Sequence, residues 1–496
     1  MHARLVAFVV AALLFAGGVL AAPPSASLPA AEAAATRLGR VATPPPEAAP
    51  GRSGVRLLAT GEEALASLLA LADAAERTLD IQQYLIADDA SARTVLARVV
   101  AAAQRGVRVR ILVDDLNAAG LDPVFLHLVR DADVAVRLFN PFPTGRFSLA
   151  TRLLGGALDF ERLNHRMHIK LFIADGAVAV TGGRNLGDEY FTRHTQSNFV
   201  DLDVVLAGPA VRRLADSFDR FWNSPQSLPA QTVADGAAEA PADDGVFITP
   251  AADFVRRGIA AGRLDLSWVP VATLAEAPSK ATAEGEPTVR ETIADDIAKL
   301  MRAARRELVI VSPYFVPGRK GVELLAALRR AGVRVRVVTN SLASTDSPIV
   351  HIGYARYREE LLRAGVELAE LRPVVGIEPG RSPPFRSAHA SLHVKAVVID
   401  QATLLVGSMN MDPRSARVNS EMGLVIRSAP IAREVLRLLD GVVDEGSWRV
   451  SLVDGRLRWT AREGGVERTW DDEPEAGWAT RVGLWLVAPF APDELL

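Results

Sequence analysis

The sequence predicts an α/β chain of two domains related by a pseudo-twofold axis, each a mostly parallel mixed sheet covered by helices. Three observations carry that prediction. His168-x-Lys170-x₄-Asp175 recurs as His393-x-Lys395-x₄-Asp400, and each His is followed seventeen residues on by an Asn, Asn185 and Asn410. Flanking sequence repeats at nearly the same spacing: Gly106-Val-Arg-Val-Arg110 returns as Gly332-Val-Arg-Val-Arg336. Both halves alternate helical and strand periodicity, the pattern of strand–helix–strand units.

Taken in order, residues 62–78 carry helical apolar spacing, 79–86 read as a strand, 91–104 as a helix and 107–114 as a strand. The second half repeats this over 293–305, 307–315, 322–330 and 333–339. Each His-Lys motif is strand-like and ends in a turn, Asp175-Gly176 in the first copy. Period-two alternation places His168 and Lys170 on one face, with Ile169, Leu171 and Ile173 on the other. Asp175 and Asp400 close these strands and are expected to hold the turns. Gly182-Gly183 and Gly407-Ser408 offer close backbone approach to a phosphate, with Asn185 and Asn410 as donors.

Two imidazoles in duplicated settings point to phosphodiester exchange: one attacks phosphorus, the other protonates the departing oxygen. Lysine usage sharpens this. Of 56 basic side chains only five are lysines, and two of them fill the motifs. Duplication places His168 opposite His393 in one cleft, since a single His would lack its acid partner.

The 496 residues suffice for two domains, expected at 53–225 and 289–445 with a partly ordered connection at 226–288 and a C-terminal extension at 446–496. Net charge is −3, which gives no basic field for nucleic acid. Cysteine is absent, excluding disulfides, thiolate metal sites and a Cys nucleophile. Residues 1–22 read as a signal peptide or N-terminal membrane anchor, so the body is expected outside the cytoplasm, at the periplasmic face of the inner membrane. Residues 23–52, rich in Ala and Pro, read as a tether. The final Trp485-Leu486-Val487 and Phe490 read as a strand packing on the second domain.

The double motif resembles the phospholipase D superfamily, whose signature is HxKx₄D followed by GGxN or GSxN in two copies. Flanking stretches are similar to bacterial cardiolipin synthases of the C type: 134–142 (VAVRLFNPF), 160–170 (FERLNHRMHIK), 180–191 (VTGGRNLGDEYF), 199–209 (FVDLDVVLAGP), 311–318 (VSPYFVPG), 339–347 (TNSLASTDS) and 409–415 (MNMDPRS). Ala87 departs from the pattern, standing where an aromatic residue is common.

The resemblance implies a phosphatidyltransferase making cardiolipin through a phosphohistidine, with phospholipids as substrates (phosphatidylglycerol, and phosphatidylethanolamine as an alternative), a membrane surface as partner, and no cofactor or metal. Catalysis falls to His168 as nucleophile and His393 as acid/base. Lys170, Lys395, Asn185, Asn410, Gly183 and Ser408 attend the phosphate. A carboxylate behind each imidazole is expected: Glu421 for His393, and Asp201 for His168, with Asp203 as the neighbouring alternative. Tyr84 and Tyr314 are candidates to line the cleft or to sit in the core. His351 reads as a packed or solvent-facing residue. The rivals are phospholipid hydrolysis by the same intermediate, a phosphodiesterase acting on nucleic acid, and a membrane scaffold with a dead site.

Overall fold

The computed structural model describes residues 25–142, 150–151, 160–234, 236–281, 292–373 and 389–487. The export segment expected at 1–22 lies outside them, as do 282–288 of the connection and Phe490.

The first half builds β1 (Ser53–Leu58), β2 (Thr78–Gln83), β3 (Arg108–Asp114), β4 (Ala135–Phe139), β5 (Leu171–Ala174), β6 (Val178–Gly182), β7 (Ser197–Val200) and β8 (Asp203–Ala207). The connection adds β9 (Ser227–Pro229), β10 (Ser267–Val269) and β11 (Val271–Ala275). The second half builds β12 (Glu307–Val311), β13 (Arg334–Asn340), β14 (Glu367–Leu371), β15 (His389–Leu392), β16 (Ala396–Ile399), β17 (Thr403–Gly407) and β18 (Met422–Arg427). The C-terminal extension supplies β19 (Ser447–Val453), β20 (Arg456–Glu463) and β21 (Val466–Trp470).

One sheet runs β10-β1-β8-β6-β5-β2-β3-β4-β9, the other β11-β18-β17-β16-β12-β13-β14-β19-β20-β21. The inner order 8-6-5-2-3-4 of the first corresponds to 18-17-16-12-13-14 of the second. Parallel pairing is confined to β2-β3-β4 and β12-β13-β14, where the crossovers include helices Ala90–Gln104 and Gly318–Arg330. Every other pairing in these two sheets is antiparallel, so the expected predominance of parallel strands holds only at each sheet's centre. The reason is local. The motif strands connect by tight turns, and a tight turn joins antiparallel neighbours.

Alternation along β5 sets the packing. Ile169, Leu171 and Ile173 enter an apolar core that also holds Val309, Val311, Val398 and Leu404 of the second half, so the two sheets bury their inner faces against each other. Phe172 points the opposite way, into the core beneath helices Gly61–Ala74 and Ala90–Gln104. The first of these helices opens with a Thr60–Glu63 capping box, which satisfies two of its amino-terminal donors. A third core lies on the outer face of the second sheet.

Asp175 and Asp400 do hold their turns. Asp175 has a φ of 53° and accepts from the amides of Glu76, Arg77 (2.7 Å) and Thr78 (3.0 Å). Asp400, with a φ of 51°, does the same for Arg305, Arg306 (2.7 Å) and Glu307 (3.0 Å). Burial raises the Asp400 carboxyl, but these amides outweigh it and hold it below the usual carboxylate range.

Three expectations need correction. Residues 25–52 are no tether. Helices Ala30–Ala35 and Arg37–Val41 put Leu38, Val41 and Ala42 into the first domain's core. Arg110, bonded to Asp80 at 2.7 Å, also donates to Ser25 O and Ser27 Oγ at 3.0 Å each. Composition hid this because the Ala-rich stretch is helical and the prolines lie at its ends. The connection is likewise more ordered than expected, since β10 extends one sheet and β11 the other, with only Pro270 between them. Finally, Trp478–Val487 is a helix with Val482 and Leu486 exposed, and the strands of the extension are β19 to β21. A short apolar run does not by itself distinguish helix from strand.

Candidate functional site

The two halves exchange backbone at their junction. β7 pairs with β15 in a parallel two-stranded sheet, and Met167 bridges Ser420 in the corresponding place. The His168 amide donates to Ser420 O at 2.9 Å, and the His393 amide to Val200 O at 2.7 Å. Each histidine is therefore anchored to the strand that leads, one residue later, to the other half's carboxylate.

That exchange decides the carboxylate pairing. His168 Nδ1 lies 3.0 Å and 3.1 Å from the Glu421 oxygens, and His393 Nδ1 lies 2.6 Å from Asp201 Oδ2. The expected pairing, Glu421 with His393 and Asp201 with His168, is thus reversed: each imidazole is oriented by an acid from the opposite half. Spacing along the chain fits both pairings equally, and only the strand exchange distinguishes them. Asp203, the alternative acid, turns away to Arg184 at 3.2 Å.

Both lysines lie along the motif strands. Lys170 Nζ donates to His168 O at 2.8 Å, and Lys395 Nζ to His393 O at 2.5 Å. Burial drives Lys170 well below its ordinary pKa and Lys395 down to about 8. Burial likewise lowers both imidazoles. Lys170, Lys395 and the opposite His push His168 well down, whereas Asp201 partly opposes the shift of His393. These mutual influences are those of four groups held in one cluster.

The two acids differ. Burial would raise Asp201, but His393, Lys395 and Arg184 hold it below its ordinary value. Burial pushes Glu421 up to about 7 despite Lys170. The ionised Asp201 makes His393 the better proton holder.

Neither Gly183 nor Ser408 offers itself to a phosphate as expected. A Cβ on Gly183 would lie 2.2 Å from Asp201 Oδ1, so this glycine makes room for that carboxylate. Ser408 occupies the matching position and its hydroxyl donates to Glu421. The Gly-Gly and Gly-Ser variants of the motif thus match the acid behind them. Asn185 and Asn410 are buried; the Oδ1 of each, an acceptor, has no hydrogen-bond partner, and only the Nδ2 of each can donate to a phosphate oxygen.

Aromatic rings wall the cluster. Tyr84 stands edge-on to His168 with centroids 4.7 Å apart and lies 4.8 Å from Lys170 Nζ. Tyr190 and Phe199 contact His393 at 5.2 Å and 4.9 Å. Tyr84 is therefore a site residue, whereas Tyr314, half-buried, donates to Asp346 at 2.7 Å. His351 is packed, bonded to Arg358 at 2.9 Å.

Sequence reasoning missed a buried ion pair behind each acid. Arg184–Asp203 backs Asp201, with Arg184 also donating to Asp201 O. Lys280–Glu276, at 2.7 Å, backs Glu421, whose amide donates to Glu276 at 2.9 Å. Tyr190 and Arg184 sat inside a stretch that carried the resemblance. Lys280 had the same signal as Lys170 and Lys395, lysine in a chain that writes arginine.

The family described as "Cardiolipin synthase, PLD-like domain" matches residues 68–222 and 297–442. Cardiolipin synthase C of Escherichia coli is 37% identical over 474 residues, covering 90% of this chain and 97% of that protein. Cardiolipin synthase A of Pseudomonas entomophila is 28% identical over 397 residues, 79% of this chain and 68% of that one. Among solved structures, phosphatidylserine synthase from Haemophilus influenzae superposes with a TM-score of 0.56 at 15% identity, covering 89% and 94% of the two chains, which establishes the fold. Two intact His-Lys kits, crossed over one cleft and set in matching sheets, belong with that family match: this chain is a member of the cardiolipin synthases with phospholipase D-like domains.

Proposed function

We propose that the protein is a phosphatidyltransferase that makes cardiolipin at a membrane face, with His168 as nucleophile and His393 as acid/base. The observation that carries this is the crossed pair of imidazoles. Each has Nδ1 committed to a buried carboxylate, which leaves Nε2 for phosphorus or for a proton.

A donor phospholipid enters head group first. His168 Nε2, unprotonated, attacks phosphorus while His393, entering the step as the imidazolium, gives its Nε2 proton to the departing oxygen, leaving a phosphohistidine and a neutral His393. The acceptor hydroxyl then gives its proton to His393 and takes the phosphatidyl group, freeing His168. Asp201, held ionised, supports the imidazolium on His393. Lys170, Lys395, Asn185 and Asn410 hold the non-bridging oxygens as their charge grows. Burial of the cluster limits water, and an acceptor fixed in attack geometry gains an effective molarity that can reach on the order of 10⁵ M. Export of the body, with residues 1–22 as signal or anchor, would set this cleft at the periplasmic face.

The test is incubation with labelled phosphatidylglycerol in bilayers, alone and with phosphatidylethanolamine, followed by lipid mass spectrometry. Cardiolipin is expected to accumulate faster than phosphatidic acid. Dominant phosphatidic acid at every acceptor concentration would make the protein a hydrolase.

A further inference from the structure

A cavity of about 670 Å³ lies against the loop that carries Asn410. Met409 and Met411, the two neighbours of Asn410, both line it. Met411 is fastened there, because the Val316 amide donates to its carbonyl at 2.8 Å and Phe315 bridges it. The floor is apolar: Ile297, Met301, Ile310, Phe315 and Leu325 are all buried.

The rim has the opposite character. Arg319, Lys320, Arg356 and Arg417 line it and are exposed. Among the described lining residues the only acid is Asp412, which is buried, pushed up to about 7 by that burial, and already accepts from the Ser415 amide at 2.6 Å. Among the described lining residues no exposed acid stands with these four cations. An apolar floor beneath a cationic rim fits an anionic amphiphile and nothing simpler: a soluble anion has no use for the floor, and an uncharged lipid none for the rim.

We propose that this cavity is the acceptor site, holding an acyl chain of an anionic phospholipid on its floor and the phosphate at its rim. The head-group hydroxyl beyond that phosphate then reaches over the Asn410 loop to the phosphohistidine. The step balances. The acceptor O–P bond forms as the His168 Nε2–P bond breaks, and the hydroxyl proton passes to the neutral His393. The site rests on the phosphatidyltransferase reading above and gives its acceptor, an anionic phospholipid with a free head-group hydroxyl, a place in the fold. Charge then selects the acceptor, while the histidines deal with the donor.

The test compares wild type with Arg319→Glu/Lys320→Glu at the rim and Ala298→Trp, which fills the floor. In mixed micelles of labelled phosphatidylglycerol, cardiolipin, phosphatidic acid and total head-group release are measured, with and without 1-butanol. Both variants are expected to lower the cardiolipin to phosphatidic acid ratio by about tenfold or more, the first by reversing two rim charges and the second by filling apolar volume. Head-group release and transfer to butanol stay near wild type, which also shows that the variants fold. An unchanged ratio in both variants, or a fall in head-group release and butanol transfer that accounts for the loss of cardiolipin, overturns the acceptor assignment. Wild type yielding phosphatidic acid alone would instead refute the transferase reading, before any substitution is made.

Discussion

A neutral imidazole attacks phosphorus only if its second nitrogen is held, and here the two holders are unlike. Asp201 is kept ionised by His393, Lys395 and Arg184 against the effect of burial, whereas burial raises Glu421 to about 7. The only lysine outside the motifs that is buried at the site, Lys280, lowers Glu421 from behind. Removing its charge raises Glu421 further, so more of it is protonated at neutral pH and His168 loses its anionic support. Lys280→Met is therefore expected to move the acid limb of kcat/KM to higher pH and to cut activity at pH 7 by about tenfold, while Lys280→Arg retains most of it. A uniform loss across all pH values would mean that Lys280 serves only the fold. Much of the cluster was legible at this scale, because rare residue types at fixed spacing stand out: His168, Lys170, His393, Lys395 and both asparagines. The partners of Glu421 and Asp201 were not legible, since pairing across an exchange of strands leaves no trace in spacing. Ser408 and Gly183 misled for a related reason, their role being to fit the acid behind them.

The hairpins β5-β6 and β16-β17 place these residues, and each depends on one aspartate in a left-handed conformation. Asp400 gathers three amides from the approach to β12, and so ties the motif turn to the sheet's central strand. Its folded pKa lies below the unfolded one. The stability it contributes is thus present above the unfolded value, near 4, and is lost as pH falls through the folded value. Asp400→Ala leaves those amides without their acceptor and is expected to cost about 1–3 kcal/mol in urea unfolding at pH 7, with the gap from wild type narrowing below about pH 4. An equal gap at pH 3 and pH 7 would contradict this account. Element positions in each half were read from periodicity to within a few residues. The edge strands β10 and β11 were not, because their short segments sit in a stretch whose Ala, Asp, Glu and Pro content resembles a linker.

At the scale of the molecule, two sheets of matching strand order bury their inner faces on a common core, and the junction strands carry each acid across to the other half's histidine. Each half holds one histidine and the acid for the other, so neither has a working imidazole alone. His168→Ala and His393→Ala are each expected to abolish phosphatidyl transfer, by about 10⁴-fold or more, with the double variant no worse than either single one. About half of wild-type activity in either single variant would mean two independent sites. The duplication was visible in the sequence as a constant shift of motifs. The interlock was not, since it arises only when the two copies meet.

That crossing of acids also bears on when activity begins during the life of a single polypeptide. The amino-terminal half leaves the ribosome with His168 but without Glu421, which lies more than two hundred residues further along. The first half alone is therefore expected to lack phosphatidyl transfer, because the full set of two imidazoles and two acids exists only once the second half has folded against it.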